Sequence, residues 1–139
     1  MSVIRQVEAL GQFRLFQTIT FTNEGAGAVA VFTVTDDVLV SIIPVINADL
    51  TSAAGANIRL GIVGNDDSMI VDTLATDMDA VSIWLDASPD SKIEPFDSIR
   101  RFTIVDSANV ILTLDAQIDT GQIYFHCFWT PLNGTVVNA

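Results

Sequence analysis

The feature that most constrains this chain is a side-chain period of two, repeated almost from one end to the other. In Phe13–Phe21, positions 13, 15, 19 and 21 are apolar while Arg14, Thr18 and Thr20 occupy the alternate sites. Successive side chains of a strand point to opposite faces, so this pattern predicts a strand buried on one side. Similar alternation recurs at Val29–Thr35, Ile58–Val63, Val81–Asp86, Ile99–Val105, Val110–Asp115 and Ile123–Trp129, all rich in β-branched and aromatic residues. Val38–Ile46 differs, being apolar on both faces. It predicts a central strand covered on both sides, with a neighbouring subunit as the second cover. Val38, Val40 and Ile42, together with Trp84, are therefore the expected oligomer-interface residues.

Turn chemistry punctuates these runs: Asn23-Glu24-Gly25-Ala26-Gly27, Asp36-Asp37, Gly64-Asn65-Asp66-Asp67, Ser88-Pro89-Asp90, Asp106-Ser107-Ala108-Asn109 and Asp119-Thr120-Gly121. Only Ala48–Ala56 and Ala87–Phe96 read as longer excursions, the first with room for one helical turn. A long 3.6-residue periodicity is missing, which argues against helical bundles and α/β folds. The expectation is an all-β fold, a single β-sandwich over residues 1–139, of jelly-roll type with about eight to ten strands. Met1–Leu10 alternates weakly and reads as an arm. Pro131–Ala139 reads as a tail that is either free or adds a short edge strand.

Charge narrows the choice of partners. Seventeen carboxylates against six basic residues give a formal net charge of -11. Such a chain repels nucleic acid and anionic membrane surfaces. The longest apolar stretch carries Ser41 and Pro44 and falls far short of the ~20 residues that span a bilayer. Met1–Leu10 lacks the layout of a secretory signal, so synthesis in a cytoplasm is expected. Apolar residues make up 50% of the chain and charged ones 17%. Average globular domains carry about 25% charged residues. A small domain has much surface for its volume, so the apolar excess predicts self-association or a large docking surface.

The residues that carry chemistry are few. Cys127 and His126 are the single cysteine and histidine, and as strand neighbours they face opposite ways, which excludes a nucleophile pair. One histidine cannot build a multi-histidine metal centre. The acidic pairs Asp36/Asp37, Asp66/Asp67 and Asp77/Asp79 lie in or beside turns, where aspartate bonds nearby backbone amides, and Asp77-Met78-Asp79 lacks the glycine and later glutamate of a calcium loop. Gly25-Ala26-Gly27 precedes no helix and so presents no phosphate-binding terminus. Asn133-Gly134-Thr135 matches a glycosylation sequon but reads as a turn. No enzyme activity and no cofactor is expected.

The succession Val31-Phe32-Thr33-Val34-Thr35, Val38-Leu39-Val40, Leu60-Gly61-Ile62-Val63-Gly64-Asn65 and Tyr124-Phe125-His126-Cys127-Phe128-Trp129-Thr130-Pro131-Leu132 resembles small structural proteins of tailed-bacteriophage virions. The likeness spans roughly residues 27–132. It implies a capsid decoration, or cement, protein: a β-sandwich, often a homotrimer, made in the bacterial host and bound to the major capsid protein on the capsid exterior. The alternative is a tail or head-fibre module that binds host carbohydrate through exposed Trp or Tyr. On the decoration reading, the expected capsid-contact residues are Arg5, Arg100, Arg101, Pro131 and Leu132.

Overall fold

A computed structural model describes residues 13–86, 88–90 and 102–139. Eleven strands follow in order: β1 (Phe13–Glu24), β2 (Gly27–Thr35), β3 (Asp37–Thr51), β4 (Asn57–Ile62), β5 (Asn65–Leu74), β6 (Ile83–Trp84), β7 (Pro89–Asp90), β8 (Thr103–Asp106), β9 (Val110–Leu114), β10 (Ile118–Pro131) and β11 (Thr135–Asn138). A single 3₁₀ turn, Ala75–Asp77, is the one helical element among the described residues.

The strands form two antiparallel sheets packed as a sandwich. One runs β1-β10-β3-β6-β7, with β8 also pairing β3, and the other runs β11-β2-β9-β4-β5. Successive strands mostly cross from one sheet to the other, and β4–β5 is a hairpin within the second. The three long strands β1, β10 and β3 are the backbone of the first sheet, with Phe16 opposite His126 and His126 opposite Ile43. Strand β3 is long enough for two short partners along its other edge: β8 against Asp37–Val40 and β6 at Val45.

The core lies between the sheets and is continuous. Ile123, Phe125, Cys127 and Trp129 point into it from β10, Val38, Val40 and Ile46 from β3, Val110, Leu112 and Leu114 from β9, and Ile58 and Leu60 from β4. The β10 alternation is therefore as the sequence predicts. Trp84 is fully buried and its indole N–H donates to the Thr73 hydroxyl at 2.9 Å, tying β6 of one sheet to β5 of the other. Burying an aromatic with its polar atom satisfied avoids the cost of an orphaned donor.

Three departures from the sequence reading have local causes. Strand β3 continues to Thr51, beyond the predicted end at Ile46, because two bulges keep it paired: β3 carries one extra residue opposite Gln122–Ile123 and another opposite Thr120–Gln122. The second bulge brings Leu50 against Gly121, whose φ is +134°, and a Cβ there would stand 2.8 Å from the Leu50 Cα. Strand β5 has no counterpart in the sequence reading, since Ser68–Leu74 lacks clean alternation; Met69 and Ile70 are both buried, and the β4–β5 register shifts twice. Conversely, only Ile83 and Trp84 of Val81–Asp86 form strand.

The chain end adds an edge strand, β11, to β2. Its entry is fixed at one carbonyl: the amides of Leu132, Asn133 and Gly134 all donate to the Asp37 carbonyl oxygen, while the Asp37 amide donates to Asn133 Oδ1. Asn133 and Gly134 of the sequon triplet thus lie in the turn that the sequence predicts, and Thr135 opens β11.

A candidate interaction face

The polar side chains with most chemical potential are occupied in holding loops. Asp115 accepts from the Asn57 side chain and amide, and these bonds hold its carboxyl below the usual range. Asp119 accepts from the Ala53 amide and from Gln117, with the same effect. Asp49 accepts from the Ala80 amide. Asp66 is a strand residue, not a turn residue, and Arg59 bridges it at 2.8 Å and Asp72 at 3.0 Å across the outside of the second sheet. The hydrogen bond from Arg59 lowers the Asp66 carboxyl. Among the described residues, no group of three or more His, Cys, Asp or Glu side chains converges as a metal site would require. Cys127 is buried and burial pushes its thiol up to about 12. His126 lies on the opposite side of β10, and partial burial with Arg14 nearby holds its imidazole below the ordinary range.

The expected interface residues are corrected by burial. Val38, Val40 and Trp84 are covered by the chain's own two sheets, with exposures of 2% or less, and Ile42 packs against the same core. The side chains of β3 that face away from the core are the alternate set, Leu39, Ser41, Ile43 and Val45, all only half-buried. Apolar character on both faces marks this strand in the sequence, but parity alone cannot tell inside from outside. The two tryptophans give no exposed sugar platform: Trp84 is in the core and Trp129 is stacked on Phe13 at 4.7 Å.

Ladder register assembles one continuous outward face on the first sheet. Arg14, Phe128 and Ser41 form one row, Phe16, His126 and Ile43 the next, and Thr18, Tyr124 and Val45 a third. Leu39 extends the face towards Ile104 of β8, which is 65% exposed. The Phe16 ring leans on both Tyr124 and His126, at 5.1 and 5.2 Å, and the Arg14 guanidinium lies over Phe128 at 5.8 Å. Polar side chains frame one end, where the Asn47 amide donates to Gln122 and Gln122 in turn donates to Thr20. None of the outward positions from Arg14 to Thr20, Gln122 to Thr130 or Leu39 to Asn47 is Asp or Glu. The outer face of the second sheet differs sharply, since it carries the Asp66–Arg59–Asp72 cluster and Thr113.

Of the expected capsid-contact residues, Pro131 ends β10 opposite Val38, and Leu132 is 49% exposed at the adjoining turn. Arg5, Arg100 and Arg101, and the Met1–Leu10 arm, lie outside the described residues.

No protein-family model matches the chain, and no curated protein sequence matches it. A solved chain from a structure titled "Acidic stable capsid structure of Helicobacter pylori bacteriophage KHP30" is similar in fold at 8% identity and a TM-score of 0.46, over 91% of this chain and 94% of that one.

Proposed function

We propose that this chain is a structural protein of a bacteriophage virion that decorates and stabilises the capsid from outside, acting by binding and not by catalysis. The observation that carries this reading is the contrast between the two sheet faces. Most aspartates with resolved partners are spent on scaffolding, whereas the broad organised surface is apolar and suited to contact. The phage assignment rests on the sequence resemblance over residues 27–132, which covers β2 to β10. The strand order supports a jelly-roll reading: β1-β10-β3-β8 faces β2-β9-β4-β5, eight strands with four drawn from each sheet.

Decoration needs no chemistry. Copies that bind the assembled shell and not its dissociated subunits stabilise the shell by mass action. Leu132, exposed beside the Asp37 corner, is a contact residue on this reading, and a homotrimer is the expected state. The test is mass spectrometry and immunogold labelling of particles made by the phage genome that encodes the chain. Labelling over the head exterior is the expected result. Purified mature particles that lack the chain would overturn the proposal, and label confined to the tail would replace it with the adhesion reading.

A further inference from the structure

We infer that the outward face of the first sheet, centred on Ile43, Phe16 and Tyr124, is where one copy of this chain packs against another. This claim concerns the chain's own assembly and stands whether or not the assembly sits on a capsid.

Three observations point to a second copy as the occupant. The first is charge. Every copy carries a net charge of -11, so two copies repel over most of their surface. This face holds no carboxylate among its central positions; those on this side stand at its edges, Asp37 and Asp106 beyond Leu39 and Asp90 across Ile83 from Val45. At physiological salt, charges further apart than ~8 Å are largely screened. A face wider than that, with its acids at the margin, is where like-charged copies can meet at least electrostatic cost. A basic partner would instead be matched by acidic side chains, and this face offers none.

The second observation is composition. Interface centres are enriched in aromatic residues and arginine and depleted in other charges, with a polar rim. Tyr124 and Phe128 lie inside the face on β10, Arg14 and Phe16 pack against them from β1, and Thr20, Asn47 and Gln122 close one end.

The third is size. Strands roughly 4.8 Å apart with a rise of about 3.3 Å per residue make the face on the order of 15 Å by 25 Å, or some ~400 Å². Patches of a few hundred Å² usually mark interaction sites. That is about half of the ~800 Å² that each partner gives to a standard stable interface, so the face is the core of a contact that its polar margin completes.

The sign of the salt effect separates this occupant from others. Self-association of like-charged copies through an apolar face strengthens as salt is raised, whereas docking of a basic protein weakens. The experiment is light scattering coupled to size-exclusion chromatography on the full chain, at roughly 0.1 M and 1 M sodium chloride, where the screening length falls from ~10 to ~3 Å. A discrete oligomer that is at least as populated at high salt is expected. Phe16→Glu and Ile43→Glu should each convert it to monomer, while Val63→Glu, on the β4–β5 turn, should leave it intact. Phe16→Ser and Ile104→Ser replace exposed side chains and guard against misfolding, and tryptophan fluorescence from buried Trp84 reports whether each variant is folded. A wild-type monomer at both salt concentrations would overturn the inference. So would an oligomer that persists in folded Phe16→Glu and Ile43→Glu, or one that Val63→Glu dissolves.

Discussion

The hydrogen bond between Trp84 and Thr73 offers a quantitative test of how the two sheets are joined. Both side chains are buried, at 0% and 3% exposure, and the Thr73 hydroxyl takes the indole N–H at 2.9 Å while donating to the Val71 carbonyl at 3.1 Å. Thr73→Val keeps the side-chain shape but leaves the indole N–H buried without an acceptor. Orphaning a buried donor costs about 1–3 kcal/mol. Unfolding entropy of about 2.1 cal/mol/K per residue gives a chain of this length about 0.29 kcal/mol/K, so Tm should fall by roughly 3–10 °C. Differential scanning calorimetry measures this directly, and a double-mutant cycle isolates the pair. In a Trp84→Phe background the donor is gone, so Thr73→Val should lose most of its effect. Equal costs in both backgrounds, with coupling below about 0.5 kcal/mol, would refute the inter-sheet bond. Trp129→Phe is the control: its indole N–H has no partner among the described residues, so no hydrogen bond is lost.

Other outcomes follow from named neighbours. Gly121→Ala forces a Cβ onto the Leu50 backbone at a residue with φ +134°, and should destabilise the protein by at least about 2 kcal/mol in urea titration; Leu50→Ala in the same chain should not restore it, since the overlap with the Leu50 main chain remains. Cys127 should resist thiol reagents at pH 8 and react on unfolding, because its thiol is buried and pushed up to about 12; rapid labelling of the native protein would contradict the placement of β10. Stability should fall in two stages as pH drops. His126 is held below its ordinary 6.5 in the folded state, so the unfolded chain takes up the proton first and stability declines from that pH downward. Asp66, Asp115 and Asp119 are held below 3.8, so their contribution is complete above that value and is lost as pH falls through their folded range. Urea midpoints measured across pH for His126→Gln should lack the upper stage and keep the lower one.

Alternation alone determined the fold class, most of the strands and the two faces of β10. That strand's pattern is unambiguous because Cys127 and its neighbours at Phe125 and Trp129 are all buried between sheets while Tyr124, His126 and Phe128 stand outside. Some turns were legible too, because Asn, Asp and Gly supply the local bonds and backbone angles that turns need, as at Asn23 and Asp36, both with positive φ. Asn65-Asp66-Asp67 and Asp119-Thr120-Gly121 have the same composition but lie in β5 and β10, where ladder pairing overrides it. Asp115 and Asp119 hold loops through bonds whose partners, Asn57 and Ala53, no local pattern names.

Tertiary structure decided the rest, since its causes are not local. A strand apolar on both faces has two possible inner sides. Only pairing of β3 with β10 and β8, and the position of the opposite sheet, put Val38 and Val40 inside and Leu39 and Ile43 outside. Strand β5 carries no periodic signal because its pairing with β4 shifts register, so its membership of the sheet comes from a hairpin partner and not from its own pattern. The interaction face is the clearest case. Phe16, Ile43, Tyr124 and Ile104 are scattered over four strands, and they become one surface only when hydrogen-bonded ladders set residues distant in sequence side by side.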